Sequence, residues 1–301
     1  MSRVLVTGGA GRLGRSVVAV LAEAGHEVIS VDRHLVDGLP AQQHVIDLLD
    51  ASATEALLQD TAPDAVIHLA AISVPFSRPD AEIYAINTGL AFTMLEACLA
   101  TGVGKLLVAS SPTVIGYGAP GGWTPQTLPI TEEHPVAPWN GYAASKVAVE
   151  GLVAMAVRRN GAQIRVGAFR PCYVIAPEEW GGAPTQQGHT VRDRLADPSL
   201  SSVALFNYVD ARDAGRFVLA WLEKADDIPN GSVFFVGAAD SMVRTAVGPA
   251  LAAAYPAAAG LTGALPATAP VFSSELARTL LGWEPIHTWR TELGEPTEQG
   301  A

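Results

Sequence analysis

Residues 7–14, with the sequence TGGAGRLG, join a β-branched run at residues 3–7 to an amphipathic run that begins at Leu13. Gly8 permits a tight turn, Gly11 lets the backbone approach a phosphate, and Gly14 lets the following helix pack closely on the strand. A helix that begins here presents unpaired N–H groups and a partial positive charge to an anion. The segment therefore predicts a strand, loop and helix that bind the pyrophosphate of a dinucleotide.

Short β-branched runs alternate with longer amphipathic runs through the first two-thirds of the chain. This alternation predicts an α/β fold, a Rossmann-like doubly wound parallel sheet with helices on both faces. The predicted strands are residues 3–7, 27–32, 45–46, 65–69, 105–110, 164–169 and 233–236. The predicted helices are residues 13–24, 52–60, 80–100, 142–159 and 211–223.

The composition of the sequence changes after Pro171, where proline and glycine become frequent and the hydrophobic periodicity weakens. We expect a small C-terminal lobe that binds the substrate. The predicted cofactor domain comprises residues 1–171 plus about 203–236, and the predicted lobe comprises about 172–202 plus 237–301. Residues from about 295 onward are expected to form a loose tail.

Composition excludes several classes of partner. The chain has 301 residues, 49% of them hydrophobic, and a net charge of −11. Binding to nucleic acid or to an anionic membrane surface needs clustered basic residues, which are missing here. Two cysteines fit a reducing compartment, so we expect a cytoplasmic protein. The seven histidines are scattered, and no metal site is predicted.

An acidic residue at the end of the second predicted strand bears on cofactor choice. Asp32 stands where a carboxylate accepts hydrogen bonds from the adenosine ribose, which favours NAD. Arg33 follows it, and an arginine there can bind the 2′-phosphate of NADP. The sequence therefore predicts NAD and leaves NADP open.

A tyrosine and a lysine four residues apart begin the long helix predicted at 142–159. Tyr142 and Lys146 share one helical face, and lysine is scarce in this chain. A neighbouring ammonium group favours the phenolate, which can then accept the proton of an alcohol. Ser111, at the end of the preceding strand, can share the alcohol oxygen. These three residues are the predicted catalytic group.

The sequence resembles the extended short-chain dehydrogenase/reductase family, the NAD-dependent epimerases and dehydratases. The matching motifs occur in the same order over nearly the whole chain. The resemblance rests on residues 7–14, Asp32, residues 47–48 and 68–71, Asn87, residues 110–116, Tyr142 with Lys146, and residues 170–171, 208–213 and 281–285.

The resemblance adds contacts to those expected from the glycine loop. Cofactor-binding residues are then expected to be Gly8, Gly11, Arg12, Leu13, Gly14, Asp32, Arg33, Asp47, Leu48, Leu69, Ala70, Ala71, Tyr142, Lys146, Pro171 and Tyr173. Candidate substrate contacts are Ser73, Ser111, Pro112, Thr113, Cys172 and Arg192. The resemblance also implies a homodimer formed through helices 80–100 and 142–159, whose simpler role is to cover the sheet.

Three departures from the family limit the substrate. No acidic pair follows Ser111, which disfavours dehydration because elimination of water needs a positioned acid. Tyr173 stands where nucleotide-sugar epimerases carry Asn. Phe206 stands where they carry an arginine for the substrate diphosphate. Arg192, Arg194 and Arg212 are alternatives for that arginine, although Arg192 and Arg194 are equally well explained as solvated loop charges.

The sequence leads us to expect an NAD(P)-dependent oxidoreductase that transfers hydride at a secondary alcohol or ketone of a small, sugar-like metabolite. The alternative is a sugar or nucleotide-sugar epimerase that holds NAD tightly and shows no net redox change. A third hypothesis is a non-catalytic regulator that senses a dinucleotide.

Overall fold

The computed structural model describes residues 1–295, and its centre is a parallel sheet of seven strands. The strand order is β3-β2-β1-β4-β5-β6-β9, and β7 pairs with β8 in a separate two-stranded sheet. The strands are β1 (Arg3–Thr7), β2 (Glu27–Asp32), β3 (Gln42–Val45), β4 (Ala65–His68), β5 (Lys105–Ala109), β6 (Arg165–Pro171), β7 (Tyr173–Ile175), β8 (Tyr208–Asp210) and β9 (Val233–Val236).

The helices fall into two sets. Five of eleven or more residues cover the sheet: α1 (Arg12–Glu23), α2 (Ala51–Thr61), α3 (Asp80–Thr101), α4 (Gly141–Asn160) and α8 (Ala211–Lys224). The others have eight residues or fewer and belong to the C-terminal half: α5 (Pro177–Trp180), α6 (Val191–Ala196), α7 (Ser199–Ser202), α9 (Val247–Ala254), α10 (Glu275–Leu281) and α11 (Trp289–Leu293).

Two apolar cores lie on opposite faces of the sheet. Helices α1 and α8 pack together over one face, around residues such as Val17 and Phe217. Helices α2, α3 and α4 pack in sequence over the other, around residues such as Met94 and Val153. The strand order reverses between β1 and β4, so a crevice for a ligand opens there, at the carboxyl ends of the strands.

The predicted fold class is confirmed: the molecule is an α/β protein with a doubly wound parallel sheet. The five long helices and the strands of the seven-stranded sheet closely match their predicted bounds. The exception is β3, which was predicted at 45–46 and lies at Gln42–Val45. It is an edge strand with polar, partly exposed side chains, so it lacks the buried apolar run on which the prediction relied.

The region predicted as a lobe contains a third apolar cluster. It joins residues from both predicted lobe segments, among them Trp180 and Leu195 from the first and Met242 and Trp289 from the second. We retain the domain division as a proposal on this basis. The short helices there were missed because each is too short to show a helical repeat. The predicted tail, apart from Glu295, lies outside the described residues.

Helix α3 is unusual among the sheet-covering helices. Its length and its mean hydropathy of 1.4 over an 18-residue window would allow it to cross a membrane, although only 39% of that window is buried. The core helix of a soluble protein passes the same test, and α3 packs against both α2 and α4. Among its exposed large residues are Tyr84 and Phe92.

Candidate functional site

The glycine loop between β1 and α1 is so closely packed that three of its glycines have no room for a side chain. A Cβ on Gly14 would lie 2.0 Å from the carbonyl oxygen of Gly8. Gly8 has a φ of +68°, and a Cβ there would lie 2.9 Å from the amide nitrogen of Ala70. Gly9 is equally confined, because its Cβ would lie 2.3 Å from Ser30 Oγ. The loop is therefore a backbone cradle of the kind a pyrophosphate requires.

Helix α1 begins at this cradle without a side-chain cap on its N-terminal amides. Those amides are free to bind an anion. The Arg12 guanidinium points away from them, donates to Val174 O at 3.0 Å and pairs with the buried Glu179 at 2.5 Å. One helical turn later, Arg15 pairs with Glu178. Two ion pairs thus join α1 to α5.

Asp32 ends β2 beside the cradle. Its carboxylate accepts hydrogen bonds from Ala10 N at 3.1 Å and Arg33 N at 2.7 Å. These bonds fix a negative charge where the adenosine ribose of a dinucleotide would lie. The Arg33 side chain is exposed.

The loop after β4 forms the other wall of the crevice. Thr7 Oγ1 accepts hydrogen bonds from the amides of Leu69 and Ala70 at 3.1 and 3.2 Å. Asn87 of α3 accepts from Ile72 N at 2.8 Å and donates to Ser145 Oγ of α4 at 3.1 Å. Asn87 therefore ties this loop to the helix that bears the Tyr–Lys pair.

The Tyr–Lys pair lies in the first turns of α4. The Asn140 side chain caps the helix by accepting from Ala143 N at 2.8 Å, which fixes where the first turn begins. Tyr142 and Lys146 are both buried, and Lys146 Nζ lies 5.8 Å from the centroid of the Tyr142 ring. Lys146 Nζ also donates to Ala109 O, at the end of β5, at 2.8 Å.

Ser111 follows β5 and faces the same space. Its Oγ accepts from Thr113 Oγ1 at 2.9 Å. Burial raises the pKa of Tyr142, and a hydrogen bond with Ser111 opposes that rise. The predicted catalytic residues are thus brought together at the carboxyl end of the sheet.

Burial also changes the charges around the pair. It lowers the pKa of Lys146 to about 8, an effect that the charge of Glu150 opposes. It lowers the pKa of His68 to about 3, with a further contribution from Lys146. At neutral pH, Lys146 is therefore largely protonated, while His68 is neutral and hydrogen bonds with Thr7 Oγ1 at 2.9 Å. Lys146 is the cation beside Tyr142.

A charged network next to the Tyr142–Lys146 pair was not predicted from the sequence. Glu150 lies one turn beyond Lys146 and accepts from Ser110 Oγ at 2.6 Å. It also forms two hydrogen bonds with the buried Arg170, at 2.8 and 2.9 Å. The repeat of four from Tyr142 through Lys146 to Glu150 was visible in the sequence, but the distant partner Arg170 was not. Glu150 anchors α4 to the end of β6.

The remaining predicted cofactor residues differ in exposure. Leu48 is buried, whereas Asp47 is exposed and accepts from Leu49 N at 3.0 Å. Leu13, Ala71 and Pro171 are partly buried.

The predicted substrate residues are divided in the same way. Ser111, Pro112 and Cys172 are buried and Thr113 is partly buried, whereas Ser73 and Arg192 are exposed. Residues 1–295 contain no cluster of three or more His, Cys, Asp or Glu able to hold a metal ion.

The three arginines considered for a substrate anion have different environments. Arg212 pairs with Asp210 at 2.6 Å and with Glu292 at 3.0 Å. Arg192 is exposed on α6. Arg194, on the same helix, is only 1% exposed and lies over the Tyr173 ring, 4.0 Å from its centroid. Phe206 is also buried.

The chain is similar to known proteins over almost its whole length. The chain is 28% identical to a UDP-glucose 4-epimerase of Corynebacterium glutamicum over 95% of this chain and 92% of that protein. It resembles a solved UDP-galactose 4-epimerase with a TM-score of 0.67 and 28% identity, over 97% of this chain and 96% of the other. A short-chain dehydrogenase/reductase superfamily protein from Agrobacterium tumefaciens with bound NAD gives a TM-score of 0.70 at 26% identity, over 97% of this chain and 95% of the other.

The model of one family matches residues 4–237, which span the cradle, the Tyr–Lys pair and strands β1 to β9. The family resemblance inferred from the motifs is confirmed, and so, at the level of the family, is the NAD prediction. By its sequence and by its fold, the chain belongs to the NAD dependent epimerase/dehydratase family.

Proposed function

We propose that the protein is an NAD-dependent sugar epimerase. The observation that carries the proposal is the buried Tyr142–Lys146 pair with Ser111, placed at the same end of the sheet as the glycine cradle. The cradle fits a dinucleotide because a Cβ on Gly14 would meet the loop's own backbone and a Cβ on Gly8 would meet the backbone of Ala70. Similarity to UDP-glucose 4-epimerases over almost the whole chain supports the epimerase alternative over the net oxidoreductase.

The side chains of the site divide the chemistry among them. Tyr142 takes the proton of a secondary hydroxyl and later returns it, which is general base and then general acid catalysis. Lys146 stabilises the phenolate through its charge, and Ser111 holds the substrate oxygen. NAD, when bound, accepts a hydride from the substrate carbon and gives it back. A sugar that presents its other face before the return leaves with inverted configuration.

The first experiment identifies the nucleotide that the protein retains. The protein is purified without added nucleotide and denatured, and the released dinucleotide is identified and quantified. We expect a stoichiometric amount of NAD, with sugars interconverted and no net coenzyme reduction. An empty protein that reduces free coenzyme with each turnover contradicts the epimerase. Release of NADP contradicts the NAD assignment based on Asp32.

Net oxidoreduction is the second candidate function, and the residues at the expected diphosphate position disfavour a nucleotide-sugar substrate. Phe206 is a buried apolar residue, and Arg212 is already paired with Asp210 and Glu292. A diphosphate needs several N–H donors, which these residues do not offer. A small sugar without a nucleotide fits this site under either reaction.

We also propose that the protein is a homodimer, formed through α3 and α4. Tyr84 and Phe92 are 44% and 45% exposed on α3, and with Leu152 of α4 they line a shallow depression. An apolar face shared by two long adjacent helices fits a second copy of itself about a two-fold axis. The reducing cytoplasm is the location we propose, because Cys98 and Cys172 are unpaired and buried.

Phe92→Glu tests the dimer. A carboxylate in an apolar interface is desolvated without a partner, so the variant is expected to elute as a monomer in size-exclusion chromatography with light scattering. Ile286→Glu, at a residue 60% exposed elsewhere on the molecule, is the matched control and should leave the size unchanged. A monomeric wild type, or a dimeric Phe92→Glu variant, contradicts the proposed interface.

A further inference from the structure

Arg194 is a buried cation without a matching anion. Its Nη1 donates to Gln187 Oε1 at 2.8 Å, its guanidinium stacks on Tyr173, and its Nε is buried with no hydrogen-bond partner in residues 1–295. The side chain of Glu179 bears a charge that reaches Arg194, but that carboxylate is bound by Arg12 and by Ala176 N. Arg194 thus has only neutral groups as direct partners.

This arrangement costs folding free energy. A buried charge is stable only when it is paired and hydrogen bonded, and an arginine usually binds a carboxylate through two parallel N–H groups. Burial lowers the pKa of Arg194, which shows the same penalty, although a guanidinium remains protonated at neutral pH. A buried charge that destabilises the free protein indicates a ligand whose binding offsets that loss of free energy.

Arg194 is connected both to the segment that follows β6 and to the loop after β4. Tyr173, on which it stacks, is two residues beyond Pro171 at the end of β6, and its hydroxyl donates to Thr185 Oγ1 at 3.0 Å. The turn that follows Thr185 covers Arg194 through the exposed Gln187. Gln186 of the same turn donates to Ser73 Oγ at 3.1 Å, on the loop after β4. The turn therefore connects Tyr173 and Arg194 with the loop after β4.

We propose that Arg194 binds a carboxylate of the sugar substrate, so that the protein acts on sugar acids. This inference names the substrate class of the proposed function and rests on it. Nε and the neighbouring Nη2 form the edge of a guanidinium that a carboxylate matches with two hydrogen bonds. In residues 1–295, the Gln187 amide bonds only Nη1 of Arg194, so no anion competes for the Nε that the carboxylate would bind.

A carboxylate fits this environment better than a diphosphate does. One guanidinium charge balances one carboxylate charge, whereas a diphosphate carries more negative charge than Arg194 alone can neutralise. Arg212 cannot supply the second cation while it is paired with Asp210 and Glu292. Tyr173, which stands in place of the Asn of nucleotide-sugar epimerases, forms the floor on which Arg194 rests.

The experiment measures binding, which does not depend on turnover. The NAD-loaded protein is titrated by calorimetry with three ligands in separate experiments. These are D-glucuronate, its uncharged counterpart D-glucose, and UDP-glucose. We expect the acid to bind roughly 10- to 100-fold more tightly than glucose, the range of a charged hydrogen-bonded pair. Arg194→Gln should abolish this preference, and Arg158→Gln, which changes an exposed arginine of α4, should retain it.

Two further variants keep the test decisive. Arg194→Lys retains the charge but loses the parallel N–H groups, so it should weaken acid binding while still folding. Arg194→Met removes a buried cation that lacks an anion, so its thermal unfolding midpoint without sugar should equal or exceed that of the wild type. A purely structural arginine predicts the opposite shift.

Several outcomes overturn the inference. These are equal affinity for glucuronate and glucose, tight binding of UDP-glucose alone, loss of the acid preference in Arg192→Gln but not in Arg194→Gln, and a clear drop in the midpoint of Arg194→Met. Turnover of neutral sugars with no acid preference leaves the epimerase standing and refutes the acid substrate. Arg194-dependent acid binding without any hydride transfer refutes the epimerase alone.

Discussion

Tyr142→Phe is expected to reduce turnover by at least about 10²-fold, the usual contribution of a positioned acid–base group. The variant removes one hydroxyl from a buried ring and leaves Lys146 and the cradle in place, so NAD should be retained. The measurement is the rate of sugar interconversion together with the NAD content of the purified variant.

The matched control is Tyr84→Phe. Tyr84 is 44% exposed on α3, so loss of its hydroxyl should not change turnover, and its ring remains for the proposed dimer. Full activity in Tyr142→Phe would refute the proposed role of Tyr142. A loss of NAD together with activity would instead mean that the phenol holds the cofactor.

Gly14→Ala should empty the cofactor site. The new Cβ would lie 2.0 Å from Gly8 O and 2.7 Å from Gly9 Cα, and because both are backbone atoms the loop itself must move. We expect destabilisation of about 1–3 kcal/mol, typical of overpacking, and loss of the NAD that the wild type retains. Thermal unfolding and nucleotide release measure the two effects.

Gly151→Ala is the control for this change. Gly151 lies within α4, and a Cβ there would meet no atom within 4 Å. Alanine in a helix is preferred over glycine by roughly 0.5–1 kcal/mol, so this variant should be slightly more stable and keep its NAD. If Gly14→Ala also keeps NAD, the cradle is not the pyrophosphate site.

The predictable parts of the site are those whose residues lie close together in the sequence. The glycine cradle is contiguous, and Tyr142 and Lys146 are separated by one helical turn. Glycines that follow α1, α3 and α4 closely, at positions 25, 102 and 161, marked where these helices end in the sequence. Local patterns of this kind need no knowledge of distant contacts.

The parts that were missed depend on residues far apart in the chain. Arg170 meets Glu150 across 20 residues, and the Gln186–Ser73 contact spans 113. The sequence could not show which side of the short helix α6 is buried, so it could not separate Arg192 from Arg194. Exposure separates them: Arg194 is 1% exposed, and its neighbour faces solvent.

The ion pairs that join α1 to α5 place the two binding events in one thermodynamic cycle. Arg12 begins the helix whose uncapped N-terminal amides lie at the glycine cradle, and Glu179 belongs to the helix that follows β7. A nucleotide that draws Arg12 away from Glu179 would weaken the contact between α1 and α5, and a sugar that stabilises α5 would favour the ion pair. By linkage, the factor by which the nucleotide changes sugar affinity equals the factor by which sugar changes nucleotide affinity.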